Sequence, residues 1–442
     1  MVAGTHSGSG KTTVATGIMA ALRAAGHSVA SAKVGPDFID PGYHSLACGK
    51  PPRNLDPWIC GPAAMAPLAA RAGAGSGLLI IEGVMGLFDG ASDGTASSTA
   101  DVARLLDAPV VLVVDASAMS GSVAAVVHGY ATLRPGLTLS GVVLNQLGSR
   151  GHEILLREAL APLGIPVLGA IPRDDALRWR DRHLGLVPVA EQPSVVAASL
   201  DRLAEVVASH FDLEALVALA RSAPGTLAGP VSLPPPGPPA RVGVAAGKAF
   251  TFTYADTIDA LQAAGADVVP FDPLNDPALP PDIDGLVIGG GFPEVHAAEL
   301  AANVPLLADL GEQVGSGLPV WAECGGLLLL AQNLDGARLA GVIPATAMMT
   351  DRLSLGYREA VTAVASPVGP AGSVIRGHEF HYSVLEPAGD SLVLTSRWGE
   401  QREGWATPTM LATYLHHHPG GDPTPVAGFA GTCALRRTLR LA

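Results

Sequence analysis

The chain is poor in charged and aromatic residues, and these shortages exclude several classes of protein. Only 15% of its 442 residues are charged and 5% are aromatic, so Ala, Val and Leu must supply most of the packing. Disordered chains have low hydrophobicity, whereas 48% of this chain is hydrophobic. Basic residues are outnumbered, giving a net charge of −13. This balance argues against a nucleic-acid or anionic-membrane surface, but not against a small anion in a local basic pocket.

Long apolar runs and closely spaced cysteines are lacking as well. No apolar run approaches the roughly 18 residues of a membrane span, and the candidate at 77–88 is interrupted by Glu82. The N-terminus has no basic region followed by an apolar stretch, so we expect no secretory signal. The four cysteines form no Cys-x-x-Cys pair, which is typical of a reduced compartment. We therefore expect a cytoplasmic protein with neither a membrane nor a nucleic-acid partner.

Proline marks a division of the chain. The segment 224–240 holds seven prolines and no charge, as in semi-rigid linkers. It predicts two domains, residues 1–223 and 241–442, joined by a linker over 224–240.

Strand-like and helix-like segments alternate in both halves, which predicts α/β domains with parallel sheets and ligands at the carboxyl ends of the strands. After about residue 353 the pattern changes to short antiparallel strands. The predicted strands are 78–82, 110–115, 141–145, 166–171, 241–245, 267–271, 285–288 and 319–321. The predicted helices are 13–25, 100–106, 122–133, 152–163, 254–264 and 299–315.

The segment GTHSGSGKTT at 4–13 is a variant phosphate-binding loop, one residue longer than the standard spacing. Gly8 and Gly10 let backbone amides point at phosphates, and Lys11 can reach the β- and γ-phosphates. The Thr12 hydroxyl can coordinate Mg²⁺, and Thr13 opens the helix that follows. These five residues predict a nucleotide site.

Further polar residues are expected at the same sheet edge. Lys33 and Asp37 lie on a Pro-constrained loop, while Glu82, Asp89 and Asn145 follow predicted strands. Each residue alone is more often a helix cap or turn former. Together with the phosphate loop, several acids at one edge favour a Mg–nucleotide site.

A second candidate site surrounds Cys324, which lies between a predicted strand and a helix with small residues two positions away on each side. This is a nucleophile-elbow pattern, and a helix N-terminus lowers the pKa of a thiol. Gly290, Gly291 and Gly325 could supply backbone amides for an oxyanion. A buried structural cysteine is the alternative.

A cysteine nucleophile needs a base, and His416 is the first choice within the segment YLHHHP at 414–419. Three consecutive histidines cannot all face one metal ion, which disfavours the alternative of a metal ligand set. The segment GHEFH at 377–381 is one residue short of the zinc-protease spacing.

Together these motifs resemble the a,c-diamide synthases of cobalamin biosynthesis, glutamine-dependent amidoligases that act on cobyrinic or hydrogenobyrinic acid. The similarity covers nearly the whole chain, and KVGPDFIDP and EGVMGLFDG are its most specific segments. The matching segments are GTHSGSGKTT (4–13), KVGPDFIDP (33–41), NLD (54–56), EGVMGLFDG (82–90), RHLGL (182–186), GGGFPE (289–294), AECGG (322–326) and GHEFHYS (377–383).

The resemblance implies an N-terminal, dethiobiotin-synthetase-like ATP domain and a C-terminal class I-type glutamine amidotransferase domain. Cys324 would attack the glutamine amide with His416 as base, forming a thioester and releasing ammonia. ATP held at Lys11 and Thr12 would phosphorylate a carboxylate of the corrinoid, and ammonia would displace the phosphate. The a and c carboxylates would be amidated in turn, each with one ATP and one glutamine.

By the same resemblance, Thr12, Asp37 and Glu82 would bind Mg²⁺. Asp37 and Asp89 would be catalytic acids of the synthetase site, with Asn145 at the adenine edge. The implied partners are ATP, glutamine and a corrinoid polycarboxylate, and a homodimer is left open.

The sequence departs from the family at three positions. Phe38 replaces a usual Tyr, Lys248 stands where Asp is common, and His418 occupies the position of the usual triad Glu. The third member of the glutaminase triad is therefore unassigned.

Cobyric acid synthase and nickel-sirohydrochlorin a,c-diamide synthase are alternatives, the second poorly separated by these motifs. A P-loop switch ATPase with an inactive glutaminase-like module is a third alternative, which predicts a missing nucleophile or base. The Ala-rich, Lys-poor composition favours a metal-free corrinoid over a cobalt-containing one.

Overall fold

The computed structural model describes residues 1–91, 94–174, 181–182, 185–224, 229 and 231–442. Contacts divide the chain into two compact units, Met1–Val231 and Ser232–Ala442. The division falls inside the segment 224–240, whose role as a semi-rigid linker stays a prediction. Part of that segment and part of the motif at 182–186 lie outside the described residues.

The first unit contains a seven-stranded sheet in the order β3-β2-β4-β1-β5-β6-β7, and every pair in it is parallel. A short antiparallel pair, β8 and β9, lies outside it. The strands are β1 (Val2–Gly4), β2 (Val29–Val34), β3 (Arg53–Leu55), β4 (Leu78–Glu82), β5 (Val110–Asp115), β6 (Leu139–Leu147), β7 (Val167–Pro172), β8 (Asp181–Arg182) and β9 (Gly185–Leu186).

Helices connect these strands, as parallel pairing requires. Local signals in the sequence start several of them. The Ser98 hydroxyl, for example, accepts a hydrogen bond from the Asp101 amide in a capping box. The helices are α1 (Lys11–Ala24), α2 (Asp40–Cys48), α3 (Met65–Gly73), α4 (Thr99–Leu106), α5 (Ser122–Thr132), α6 (Arg150–Leu160), α7 (Pro193–His210) and α8 (Leu213–Arg221).

The second unit has two larger sheets. The first runs β11-β10-β12-β13-β21-β20 and is parallel except for β20. The second runs β15-β14-β16-β17-β22, with β18 and β19 attached, and is mostly antiparallel. The strands are β10 (Ala240–Ala245), β11 (Ala266–Phe271), β12 (Gly285–Ile288), β13 (Val320–Glu323), β14 (Asn333–Leu334), β15 (Ala337–Arg338), β16 (Thr346–Thr362), β17 (Val374–Glu386), β18 (Leu392–Ser396), β19 (Gly399–Glu403), β20 (Trp405–Thr407), β21 (Met410–Thr413) and β22 (His416–His417).

Apolar residues cover both faces of the parallel sheet in this unit. Leu286 and Ile288 belong to one buried cluster, and Val287, between them, belongs to another. This alternation follows from the two-residue period of a strand. The helices are α9 (Ala255–Ala263), α10 (Ala297–Ala302), α11 (Val304–Gly315), α12 (Gly325–Leu330) and α13 (Thr424–Leu441).

The strand predictions 78–82, 110–115 and 285–288 are confirmed residue for residue. The single helix predicted over 299–315 is wrong, because non-helical backbone at Asn303 separates α10 from α11, and Pro305 lies in the first turn of α11. The antiparallel strands after 353 are present, but the prediction that they are short is wrong for β16 and β17. These two pair with each other through most of their length.

Among the described residues, no helix is both long enough and apolar enough to cross a membrane.

Candidate active sites

The phosphate loop connects β1 to α1 and is held by contacts at both of its ends. Gly10 has a φ of 91°, and a Cβ placed on it would lie 2.1 Å from Asn145 Nδ2, so both conformation and space require glycine. Asn145 Nδ2 donates to the Ser9 carbonyl over 3.0 Å. At the other end, the Tyr130 hydroxyl donates to the Thr5 carbonyl. The loop is therefore preformed.

Lys11 is the first residue of α1, and its side chain folds back over the loop. Its Nζ donates to the His6 carbonyl over 3.2 Å, and the residue is buried. Burial, with the nearby charge of Lys33, lowers the pKa of Lys11 to about 8. The amine is still mostly charged at neutral pH, and a phosphate at this loop would raise its pKa again.

Thr12 points to the carboxyl end of β4 and to the first residue of α2. Its hydroxyl donates to Glu82 Oε1 at 2.8 Å and to Asp40 Oδ2 at 3.2 Å. The ammonium group of Lys33 donates to the same two oxygens, at 2.6 Å for Asp40 and 2.9 Å for Glu82. One hydroxyl, two carboxylates and one buried ammonium group thus form a single cluster.

The second oxygen of Glu82 is held by His44, whose Nε2 donates to Oε2 over 2.6 Å. Burial alone would raise the pKa of Glu82, but the charge of Lys33 and the hydrogen bonds from His44 and Lys33 hold it below its usual range. Asp40 differs, because burial and the neighbouring Asp37 carboxylate raise its pKa against the charge of Lys33. Glu82 is therefore the firmly ionised carboxylate of the cluster.

Asp37, predicted as a Mg²⁺ ligand and catalytic acid, has a different local role. Its Oδ1 accepts hydrogen bonds from the amides of Ile39 at 2.8 Å and Asp40 at 3.1 Å, which shapes the turn into α2. Its Oδ2 lies 3.8 Å from Lys33 Nζ. The aspartate that contacts Thr12 is Asp40, and the roles of Asp37 as ligand and catalytic acid stay predictions.

The other predicted residues of this site lie around the loop. Asp89 is exposed, and its Oδ2 accepts a hydrogen bond from the Gly86 amide at 2.8 Å. Gly8 is exposed with a φ of 85°, and Thr13 is half-buried in the first turn of α1. The Oδ1 of Asn145 accepts from the Gln146 amide, so both ends of this side chain are bound within the protein. Its adenine role stays a prediction.

Cys324 occupies a sharp turn between β13 and α12. Its φ of 49° and ψ of −99° are strained for a non-glycine residue, and its amide donates to the Thr413 carbonyl over 2.7 Å. A Cβ on Gly326 would lie 2.1 Å from the Ile288 carbonyl oxygen, which explains the small residue there. Burial and the carboxylate of Glu294 raise the pKa of the Cys324 thiol. The expectation of a lowered thiol pKa is therefore wrong, because burial outweighs the helix N-terminus.

The predicted oxyanion amides are not equivalent. The Gly290 amide donates to the Phe252 carbonyl over 3.1 Å, so it is already used and its assignment as an oxyanion donor is wrong. The Gly291 amide nitrogen lies 3.1 Å from a Cβ placed on Gly325, so the backbone at Gly291 closely approaches the residue that follows Cys324. The geometry favours Gly291 and Gly325 as the donor pair.

His416 follows β21 by three residues and pairs in β22 with His378 of β17. A Cβ on Gly290 would lie 2.4 Å from His416 Cε1 and 3.1 Å from Nε2, so this ring edge faces the glycine segment beside Cys324. Burial, with His378 and His381, lowers the pKa of His416 to about 3. The ring is therefore neutral at neutral pH and able to accept a proton.

Two neighbouring carboxylates contact the histidine segment. Glu323 Oε2 lies 3.7 Å from His416 Nδ1, and Glu323 Oε1 accepts from the His417 amide over 3.1 Å. His418 Nε2 lies 3.6 Å from Asp256 Oδ2. In the described part of the chain, no group of three or more His, Cys, Asp or Glu side chains is arranged to hold a metal ion by itself.

Sequence reasoning missed Asp40, His44 and Glu323. Asp40 and His44 are four residues apart in α2, so helical spacing could have placed them on one face towards Glu82. Glu323 directly precedes the nucleophile, but nothing in its spacing indicates a contact with His416.

Two family models match the two halves of the chain. Residues 1–187 match the CobQ/CobB/MinD/ParA nucleotide binding domain, and residues 241–424 match the CobB/CobQ-like glutamine amidotransferase domain. The MinD protein of Pyrococcus horikoshii, solved with Mg-ADP, is 17% identical, with a TM-score of 0.29 over 49% of this chain and 97% of that chain.

Two relatives match along almost the whole chain. The hydrogenobyrinate a,c-diamide synthase of Streptomyces coelicolor is 47% identical, covering 98% of this chain and 97% of that protein. The cobyrinate a,c-diamide synthase of Syntrophotalea carbinolica is 41% identical, covering 98% of each. These matches confirm the predicted fold class, a P-loop domain followed by a glutamine amidotransferase-like domain. The chain therefore belongs to the a,c-diamide synthase family.

Proposed function

We propose that this chain is a glutamine-hydrolysing, ATP-dependent ligase that amidates the a and c carboxylates of hydrogenobyrinic or cobyrinic acid in cobalamin biosynthesis. The substrates are those in the names of its relatives. The observation that carries the proposal is that one chain holds both a cysteine elbow beside a neutral histidine and a phosphate loop beside paired carboxylates. A carboxylate does not react with ammonia at neutral pH, so an amidoligase needs both sites.

The second unit supplies ammonia. Cys324 and His416 both rest neutral, so the thiol proton passes to His416 as sulfur attacks the side-chain amide carbon of glutamine. The Gly291 and Gly325 amides face the oxyanion that forms. His416 returns the proton to the leaving nitrogen, which departs as ammonia. Water then hydrolyses the Cys324 thioester to glutamate.

The first unit activates the carboxylate. The loop amides and Lys11 would hold the ATP phosphates, and a carboxylate oxygen of the corrinoid would attack the γ-phosphorus to give an acyl phosphate and ADP. Ammonia then attacks the acyl carbon and phosphate leaves. Two such cycles, each with one ATP and one glutamine, give the diamide.

Mg²⁺ fits the oxygen cluster at the end of β4. It binds through one or two carboxylates together with phosphate oxygens and water, and it does not need a complete protein cage. Thr12, Glu82 and Asp40 offer such oxygens beside the loop. When bound there, the ion would neutralise charge on the β- and γ-phosphates. Lys33 stays bonded to both carboxylates and orients them.

A cytoplasmic location is also proposed. It is supported by the four cysteines, all of which are buried and free of disulfides.

The test supplies ATP, Mg²⁺ and glutamine to the purified protein with hydrogenobyrinic acid and, separately, with cobyrinic acid. We expect mass spectrometry to show the gain of two amide groups on at least one acid, and the faster acid identifies the preferred corrinoid. No amidation of either acid would overturn the proposal.

A further inference from the structure

Glu323 links the nucleophile to its base. It is the last residue of β13 and directly precedes Cys324. The hydrogen bond from the His417 amide to Oε1 aims the carboxyl group at the histidine segment, and Oε2 then lies 3.7 Å from His416 Nδ1. The side chain is largely enclosed, with 13% of its surface exposed.

The two ring nitrogens of His416 face different groups. Nδ1 faces Glu323, whereas Nε2 lies on the side of Gly290, whose backbone adjoins Gly325 in the oxyanion pair. A proton on Nδ1 would therefore leave Nε2 as the acceptor towards Cys324. The tautomer of a catalytic histidine is set by the hydrogen bond that its other nitrogen makes.

The other buried carboxylates of this region are engaged elsewhere. Two residues beyond His416 the chain has His418 rather than a carboxylate. Asp256 is the carboxylate that contacts His418. Glu379 forms a 2.7 Å ion pair with Arg358. Glu403 accepts hydrogen bonds from the Thr413 hydroxyl and the Tyr414 amide.

We propose that Glu323 is the positioning residue for His416, accepting a hydrogen bond from Nδ1–H and stabilising the imidazolium that forms when Nε2 takes the Cys324 proton. The proposal rests on the glutaminase function proposed above. The present 3.7 Å separation exceeds the usual 3.2 Å limit of an N–H···O bond, and such contacts often shorten when substrate binds.

The protonation state of Glu323 gives this role a signature. Burial raises its pKa to about 8, so the carboxyl group is mostly protonated at neutral pH and ionised above pH 8. An ionised carboxylate stabilises an imidazolium better than a neutral acid does. Glutaminase activity should therefore rise as pH passes through about 8. The other titratable groups near His416 are His378 and His381. Those near Cys324 are Glu294 and Glu379.

The experiment compares Glu323→Gln with Glu403→Gln in the full chain. Glu403 is a matched control, because burial also raises its pKa to about 8 but it makes its contacts with Thr413 and Tyr414. Three quantities are measured: kcat and KM for glutamine hydrolysis, the pH dependence of kcat/KM from 6 to 9.5, and amide formation driven by ammonium chloride.

We expect Glu323→Gln to lower kcat for glutamine by about a hundredfold and to remove the rise near pH 8. Its KM should stay within about twofold, and ammonia-driven synthesis should be unchanged. Glu403→Gln should keep the parent pH profile. A parent-like kcat and pH profile in Glu323→Gln would overturn the proposal, as would equal loss of the ammonia-driven reaction, which would mean a structural role.

The unmodified protein provides a second measurement that does not depend on the variant folding. Alkylation of Cys324 by iodoacetamide, followed by peptide mass spectrometry, should accelerate through an apparent pKa near 8 as ionised Glu323 promotes proton transfer to His416. A rate without that inflection would overturn the role of Glu323. If the parent hydrolyses no glutamine but still shows the inflection, the proposed function is wrong, whereas the contact between Glu323 and His416 is supported.

Discussion

Glu82 and Glu323 are both enclosed glutamates at the carboxyl end of a parallel strand, β4 in the first unit and β13 in the second, yet their chemistry is opposite. Glu82 receives hydrogen bonds from Lys33 at 2.9 Å and His44 at 2.6 Å, and its pKa falls below the usual range. Glu323 receives a backbone hydrogen bond from His417 and has a neutral histidine 3.7 Å away, and burial raises its pKa to about 8.

The comparison shows that the partner of a buried carboxylate, rather than burial itself, decides its charge. In the first unit, Lys33 keeps Glu82 ionised, although burial and Asp37 raise the pKa of the neighbouring Asp40. In the second unit, Cys324, His416 and Glu323 all rest neutral near pH 7. The first site therefore holds a fixed charge at Glu82, whereas the proposed mechanism of the second passes a proton from Cys324 to His416.

The largest expected effect comes from breaking the charged site with Lys33→Met. This change leaves Asp40 and Glu82 without their shared cation, which should destabilise the first unit by about 3–5 kcal/mol. Amide formation should fall by about a thousandfold with either glutamine or ammonium, while glutamine hydrolysis continues. Denaturant unfolding and the two assays measure this, with Lys50→Met as control, since Lys50 bonds Ser76 away from the cluster. Retained ammonia-driven synthesis would contradict the account.

A smaller effect should follow from removing the second partner of Glu82. His44→Leu deletes the 2.6 Å hydrogen bond to Oε2 and leaves Glu82 held only at Oε1, by Lys33 and Thr12, so the Mg²⁺ concentration that half-saturates ATP binding should rise about tenfold to a hundredfold. Calorimetric titration of ATP at several Mg²⁺ concentrations measures it. His44→Gln can still donate to Oε2 and should recover most of the affinity. An unchanged Mg²⁺ requirement in His44→Leu would rule out this role.

The smallest expected effect concerns Glu403, one of the neutral glutamates of the second unit. Burial raises its pKa to about 8. A carboxyl pKa raised on folding contributes stability that is complete below the unfolded value of about 4.3 and is lost as pH rises through 8. Glu403→Gln removes this dependence. The melting temperature of the variant minus that of the parent should therefore increase by a few degrees between pH 6 and pH 8.5. A constant difference between the two would show that Glu403 is ionised throughout.

The sequence predicts elements and motifs well where one local signal dominates. The run 78–82 is apolar and ends in Glu82, and the segment 285–288 is bounded by Asp and Gly, so both strands are confirmed with the predicted ends. The phosphate loop and the cysteine elbow also have local signatures, since glycines and small residues are required by the turns themselves.

Contacts across the fold could not be predicted in the same way. Asp37 precedes α2 and Asp40 is its first residue, and only the turn made by the Asp37 carboxylate decides which of them reaches Thr12. Gly290 and Gly291 are adjacent glycines that the sequence does not distinguish. The β-bridge between Gly290 and Phe252 occupies the Gly290 amide and leaves the Gly291 amide as the candidate oxyanion donor. Side chains that pair between distant elements have no fixed separation along the sequence, so no motif predicts them.

The central claim is that the second unit makes ammonia and the first unit uses it, and nitrogen labelling tests it most directly. The parent, Cys324→Ser and Lys33→Met each receive the corrinoid acid, ATP, Mg²⁺, glutamine labelled with ¹⁵N in its amide and excess unlabelled ammonium. We predict ¹⁵N amides from the parent, unlabelled amides from Cys324→Ser and none from Lys33→Met. Labelled amides from Cys324→Ser would contradict the account, because glutamine would then be cleaved without the thiol.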